Sequence, residues 1–473
     1  MTVSSGAAKP SPASTDASSF RLLITRLHFY VGLFIGPFIF IAALSGTLYV
    51  LTPQIENWLY RDQLQAKTMG EARPLADQLA AARGFIGSGP KFFAVRPAPE
   101  EGRTTMVMFT EPGLKESESR AIFVDPASLA VQGDLVAYGT SGILPFRTTL
   151  DYLHRNLLLG DIGRNYSELA ASWLWIAVLG GIALWFWQRR LRQPARSKQA
   201  VAKRLHSLIG LWIGIGLLFL SGTGLTWSRW AGDHIDRFRN EVGWVTPSVS
   251  LSLGPAVDAA PMGEHAEHQA GSAHESMVPQ TPEAEIFAQT DKVLAGARAG
   301  GIDSGMVEVR PPRAVGQAWT VREYDRQWPT QVDTVAIDPG TMAITSRADF
   351  ETFPIIAKLI RWGIDAHMGI LFGVVNQIVM ATLGISLMVM IAYGYRLWWL
   401  RRPAPGSAPK SLIRAWSYLS VRGRTVSLVI AAAFGLVLPL MGVSLVVFVL
   451  ADLVRWGLAG LVDDGRGRAS PAR

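Results

Sequence analysis

The sequence predicts a mainly α-helical integral membrane bundle of four core transmembrane helices plus one C-terminal span. Two external α+β domains hang from it, in an internal duplication. Three observations predict this: apolar runs of membrane-spanning length, basic clusters beside alternate ends of those runs, and a repeat that pairs four of the eight histidines. The 473 residues are 49% hydrophobic and 17% charged, too apolar for an ordinary soluble enzyme. There are no cysteines, which excludes disulfides, thiolate metal sites and cysteine-ligated iron–sulfur clusters. Any cofactor must be held by other ligands, histidine foremost.

The elements follow in order. Residues 1–19, rich in Ser, Ala and Pro, read as a disordered tail, and no cleavable signal is expected ahead of the first span. That span is assigned to 20–52, around the apolar run Leu27–Leu51, and an external domain follows over 53–145. Residues 146–190 hold an external histidine-bearing helix and the second span, Leu169–Trp187. A cytoplasmic loop (191–203) leads to the third span, 204–228, around Leu205–Trp227. The second external domain covers 229–358, and 359–400 hold a second histidine-bearing helix and the fourth span, Ile370–Trp398. After a cytoplasmic loop (401–425), the run Val426–Leu450 contains Pro439. It reads as one kinked helix over 426–452, because a hairpin would leave each arm short of the ~20 residues a bilayer requires. Residues 453–473 form a C-terminal tail.

Charge sets the orientation. Arg21 and Arg26 precede the first span. Arg189, Arg190, Arg192, Arg196, Lys198, Lys203 and Arg204 lie between the second and third, and a further basic cluster from Arg396 to Arg424 between the fourth and fifth. The positive-inside rule places these segments in the cytoplasm and both long inserts outside. The net charge of +8 is thus a matter of membrane topology, and nucleic acid is not an expected partner.

The halves repeat. Arg26-Leu27-His28 with Gly32 and Gly36 matches Arg204-Leu205-His206 with Gly210 and Gly214. His154 with Gly160 matches His367 with Gly373, and Val95-Arg96-Pro97 matches Val309-Arg310-Pro311. Each insert begins with a helix-like stretch, Leu75–Ala82 and Ala284–Ala295. Alternating segments such as Thr105–Phe109 and Val332–Ile337 follow.

Topology sorts the repeated histidines into two pairs by depth: His28 with His206 near the cytoplasmic face, and His154 with His367 near the external face. Ionisable side chains at membrane depth face the bundle interior with a partner, and imidazole is a standard axial ligand of haem iron. Two twofold-related pairs therefore point to two b-type haems with bis-histidine ligation. The glycines after His28 and His206 are expected to give a flat macrocycle clearance. Arg26, Arg204 and Arg155 are candidates to pair with haem propionates, Arg26 and Arg204 being equally explained as positive-inside residues. Arg147, Arg310, Arg313 and Arg322 are basic candidates for an external anion. The stretch 262–277, with His265, His268, His274, Met262 and Met277, suits copper or zinc but is better read as a polar linker. His234 reads as interfacial. No phosphate-binding loop, zinc-hydrolase helix or nucleophile elbow is present.

Together, Arg26-Leu27-His28, Leu153-His154-Arg155-Asn156 with Gly160, Leu205-His206 and Asp365-Ala366-His367-Met368-Gly369 resemble the PepSY-associated transmembrane family. That family includes bacterial iron-uptake factors and inner-membrane ferric-siderophore reductases. Val124-Asp125-Pro126 and Ile337-Asp338-Pro339 look like strand ends of two PepSY-type domains. The resemblance implies an inner-membrane di-haem oxidoreductase with both inserts periplasmic. It would take electrons from a cytoplasmic donor or quinol and reduce a ferric-siderophore or other metal chelate. Two alternatives stand beside it: a non-enzymatic membrane-anchored binding or inhibitory module, and a copper reductase using the 262–277 loop.

Overall fold

Apolar stretches long enough to satisfy their own backbone hydrogen bonds in lipid become helices here. In the computed structural model, which describes residues 16–189, 197–254, 281–402 and 411–468, they occur in the following order. Helix α1 (Asp16–Tyr30) continues through a π-helical turn (Val31–Ile35) into α2 (Gly36–Val50), followed by α3 (Thr52–Leu59), α4 (Arg61–Leu64) and α5 (Leu75–Ile86). After four strands come α6 (Pro145–Asn156), α7 (Gly160–Gln188), α8 (Lys198–Thr226), α9 (Trp230–Glu241) and α10 (Glu283–Ala299). Four more strands precede α11 (Ile355–His367), α12 (Gly373–Leu400), α13 (Leu412–Ser417), α14 (Val421–Val437) and α15 (Pro439–Arg468). Four helical stretches among the described residues are long and apolar enough to cross a membrane: Ser18–Val50, α7, α8 and α12. The chain divides into two units, one drawn from Met1–Ala43, Asp161–His234 and Ile385–Arg473, the other from Leu44–Gly160 and Ile235–Gly384.

In the first unit the π-turn has an identifiable partner. The Tyr395 hydroxyl of α12 donates to the Leu33 carbonyl at 2.8 Å. Gly36 makes room for it, since a Cβ there would sit 3.3 Å from that hydroxyl. The C-terminal apolar run differs from the single kinked helix expected from sequence. Pro439 has no N–H to donate and disfavours helical backbone at Leu438, where the chain breaks (φ −121°, ψ 81°). Helices α14 and α15 then double back: a Cβ on Gly442 would lie 2.8 Å from the Gly435 Cα, seven residues earlier. A continuous helix would separate those residues by about 10 Å. Two glycines supply the close backbone approach that a hairpin needs, which outweighs the shortness of its arms.

The hairpin packs by aromatic contacts. Phe448 meets Trp173 at 5.6 Å between ring centres and stacks on Phe34 at 5.6 Å and Tyr30 at 6.2 Å. The Trp173 indole donates to Ser444 Oγ at 2.8 Å. Asp452, buried, accepts from the Tyr30 hydroxyl and from the Ile413 N–H at 3.0 Å.

The second unit is built on one antiparallel eight-stranded sheet. Its strands are β1 (Lys91–Arg96), β2 (Thr105–Thr110), β3 (Glu118–Val124), β4 (Val131–Tyr138), β5 (Val307–Arg310), β6 (Trp319–Glu323), β7 (Thr334–Ile337) and β8 (Ile344–Ala348). The order is β4-β3-β2-β1-β5-β6-β7-β8. Each insert thus gives a four-stranded meander, but they are not two separate domains. Strand β1 pairs with β5, Val95 opposite Val309, so each half covers the other's open edge. Helices α5 and α10 cover one face, where Leu79, Ala82, Ile286, Phe287 and Val293 pack on Val95, Phe109, Trp319 and Ile337. At the junction, Glu308 meets Arg96 at 2.7 Å, Arg310 at 2.6 Å and Arg322 at 2.9 Å. Burial opposes its charge, but the three guanidiniums outweigh that and hold its carboxyl well below the usual range. On the other face, Leu144 at the start of α6 packs with Ala94 and Phe123, and Ala357 of α11 with Ala318 and Ala336. The sheet therefore positions the two helices that carry His154 and His367.

Candidate functional site: two facing histidine pairs

The first unit brings His28 of α1 and His206 of α8 together, with ring centres 6.3 Å apart and planes at 79°. His206 Nδ1 lies 2.9 Å from the Met390 carbonyl of α12, so that nitrogen carries the proton and Nε2 keeps its lone pair. Beside the rings stand glycines. A Cβ on Gly181 of α7 would lie 3.3 Å from His28 Cε1, and one on Gly394 of α12 would lie 3.5 Å from His206 Cε1.

The second unit brings His154 of α6 and His367 of α11 together, with ring centres again 6.3 Å apart and planes at 66°. Both sit in the last turn of their helices. Helix α6 ends because Leu157 turns left-handed (φ 53°). Helix α11 ends two residues before Gly369, whose φ of 75° suits glycine and whose Cβ would strike Val50 at 3.1 Å. Ser45 Oγ lies 3.1 Å from His154 Nδ1, and a Cβ on Gly46 would lie 3.0 Å from His154 Cε1. Burial, and secondarily the facing His154, push His367 down to about 3. It is therefore the neutral ring that can ligate.

The spacing can be tested against metal ligation. A metal–imidazole nitrogen bond is about 2.0 Å and each nitrogen lies roughly 1.1 Å from its ring centre, so two rings on opposite sides of one metal have centres about 6.2 Å apart. Both pairs stand at 6.3 Å. Among the described residues no group of three or more His, Asp or Glu side chains could hold a metal ion. Each pair therefore brings two imidazoles together without a third such side chain grouped with them among the described residues.

The glycines expected to give clearance do other work. Gly36 faces Tyr395, Gly210 faces Met390, Gly214 faces Ile182 and Val178, and Gly32 has nothing within 4 Å. The ones beside the rings, Gly181 and Gly394, each lie 27 residues after the second-unit histidine of their own half, a spacing visible in the sequence. Arg26 is half-buried and Arg204 exposed. Arg155 lies over the rings of Tyr138 at 5.9 Å and Tyr152 at 5.6 Å. Of the arginines nominated for an external anion, Arg310 and Arg322 are committed to Glu308 and Arg147 is buried. His234, rather than simply facing an interface, has Nδ1 3.1 Å from the Val437 carbonyl at the hairpin turn. The 262–277 stretch lies outside the described residues.

Comparison with known proteins gives one family. The model described as the PepSY-associated TM region matches residues 25–401, most of the chain. No curated protein matches it.

Proposed function

The chain belongs to the PepSY-associated transmembrane family, and from that premise we propose that it is a di-haem membrane oxidoreductase reducing a ferric-siderophore outside the inner membrane. The observation that carries the reading is the 6.3 Å separation of ring centres in both histidine pairs. Aromatic rings elsewhere in the protein also meet at this distance, so what supports the reading is that it recurs in two histidine pairs at equivalent places of the repeat.

His28 and His206 would hold one b-type haem, and His154 and His367 the other. Bound there, the haems supply reversible one-electron chemistry. The protein's residues supply the rest. The Met390 carbonyl and Ser45 fix the far nitrogens of His206 and His154, which orients the near ones. Arg26, Arg204 and Arg155 would supply positive charge for the porphyrin carboxylates. A cytoplasmic donor or quinol is oxidised, and each electron takes one ferric ion of the external chelate to ferrous, weakening its hold in the siderophore.

We also read the chain as a duplication with both inserts periplasmic. Supporting this are the pairing of the equated residues Val95 and Val309, and the equivalent places of Gly181 and Gly394. The test is absorption. Purified protein, expressed with ample haem supply, is expected to show a Soret band of two low-spin haems per chain. Absence of the band would sink the oxidoreductase reading and leave a membrane-anchored PepSY binding module.

A further inference from the structure

Arg326 lies in the loop between β6 and β7 and reaches two elements that are far apart along the chain. Its Nη1 donates to Ser141 Oγ at 2.9 Å, in the turn that leads into α6. Its Nε stands 2.6 Å from Asp365 Oδ1, an ion pair with α11 two residues before His367. The Asp365 side chain is fully buried, and that of Arg326 nearly so. The corresponding loop of the first half, 111–117, holds no arginine. One side chain of the second half therefore touches the approaches to both histidine-bearing helices.

The turn it grips is itself held. Arg96 of β1 donates to the Ser141 and Thr140 carbonyls at 2.9 and 2.7 Å, and Arg322 of β6 to the Thr140 carbonyl at 3.4 Å. Glu308 holds both of those arginines. Gly142 turns with φ 63°, and a side chain there would run into the Arg96 guanidinium. Between this turn and the ring lies one rigid rod. Pro145 opens α6 and His154 is in its last turn, about 14 Å further along the axis. A tilt of α6 by about 2° about its base moves the His154 ring by roughly 0.5 Å, the tolerance within which a ligand set has to be held. A buried ion pair adds little net stability over apolar packing. A planar guanidinium that meets two partners at once does fix their separation.

We propose that Arg326 is a positioning residue: by tying the base of α6 to Asp365 on α11, it sets the separation of His154 and His367. That separation belongs to the chain alone, and its consequence for a haem rests on the two-haem reading.

The chain has no cysteine, so Thr149→Cys on α6 and Leu359→Cys on α11, both exposed, can carry the only two spin labels. Pulsed dipolar spectroscopy on purified full-length protein measures the distance between them, alone and with Arg326→Gln, Ser141→Ala or Arg120→Gln added. Arg120→Gln is the control, because its ion pairs to Asp134 and Glu111 reach neither helix. The parent protein is expected to give one narrow distance. Arg326→Gln should broaden it toward longer values, Ser141→Ala should do so by less, and Arg120→Gln should lower the melting temperature without broadening it. Both Arg326→Gln and Ser141→Ala keeping the parent distribution would overturn the inference. So would Arg120→Gln broadening it as much as Arg326→Gln, since the effect would then be a general loosening of the sheet. If Arg326→Gln does not fold, Ser141→Ala decides. In haem-loaded protein without labels, Arg326→Gln should pass the second haem to apomyoglobin about tenfold faster than wild type and leave the first unchanged. An altered distance with equal transfer rates would overturn the role at the ligand. Wild-type protein with no haem would instead remove the two-haem reading and leave the distances to judge the separation.

Discussion

Replacing Gly46 by alanine puts a methyl group 3.0 Å from His154 Cε1 and 3.3 Å from its Nδ1. Carbon atoms are in comfortable contact from about 3.5 Å, so the ring must move by roughly half an ångström. Its 3.1 Å contact with Ser45 must move too. Overpacking of this kind costs roughly 1–3 kcal/mol, while alanine for glycine inside a helix returns up to about 1 kcal/mol. The net expectation is a loss of roughly 1 kcal/mol, with the displaced ring altering the absorption of the second haem. The same reasoning grades the other sites: Gly181→Ala brings its Cβ to 3.3 Å of His28 and Gly394→Ala to 3.5 Å of His206, both milder and both acting on the first haem. Gly32→Ala meets nothing within 4 Å and should be neutral or slightly stabilising. Thermal unfolding in detergent, followed alongside the haem spectrum of each variant, reads this order. Gly32→Ala proving as damaging as Gly46→Ala, or Gly46→Ala changing neither readout, would refute the assignment of these glycines to the histidine rings.

His206→Ala should remove one haem and spare the other, and His367→Ala should do the reverse. Stoichiometry with redox titration checks this, and loss of both haems from folded protein would break the two-site assignment. Glu308 is ionised in the folded sheet at pH values where the unfolded chain already takes up a proton. Its contribution is full above about pH 4.5 and fades as the pH falls toward its depressed value. Melting temperature should therefore drop more steeply on acidification in wild type than in Glu308→Gln. Asp452→Ala strands the Tyr30 hydroxyl and the Ile413 N–H in a buried place, a loss of about 1–3 kcal/mol that calorimetry or a thermal melt should register. A reporter fused at Ser88 should signal from the external side, and a cytoplasmic signal would invert the proposed orientation.

What the sequence made legible follows from short-range physics. Apolar length located the spans: Leu27–Leu51 falls inside Ser18–Val50 but for its last residue, and Ile370–Trp398 nearly coincides with α12. Alternation found β2 to within a residue. Depth alone sorted the four histidines into the pairs that face each other. The misses are all long-range or turn on a single backbone contact. The pairing of β1 with β5 joins residues more than two hundred positions apart and leaves no periodicity to read. Gly181 and Gly394, at the first pair, lie on later helices of each half and Gly46, at His154, on an earlier one, so a search along the histidine's own helix face could not find them. The C-terminal hairpin depends on the meeting of Gly435 and Gly442, which bilayer length arguments do not see. Arg147 was noticed for its charge and misplaced as a surface group, because burial is a tertiary property.

The two histidines of the second unit hang from opposite ends of one sheet. His154 is on the helix after β4 and His367 on the helix after β8, the two outermost strands. Hydrogen-bonded backbone runs unbroken from one to the other through all eight strands, and the rings then close the circuit at 6.3 Å. A slipped register at any seam along the way is delivered to that gap, since a one-residue shift displaces everything beyond it. On the two-haem reading, capture of the iron between these rings depends on the register of the whole sheet: ligation would be the seal on a finished assembly and not the seed of one.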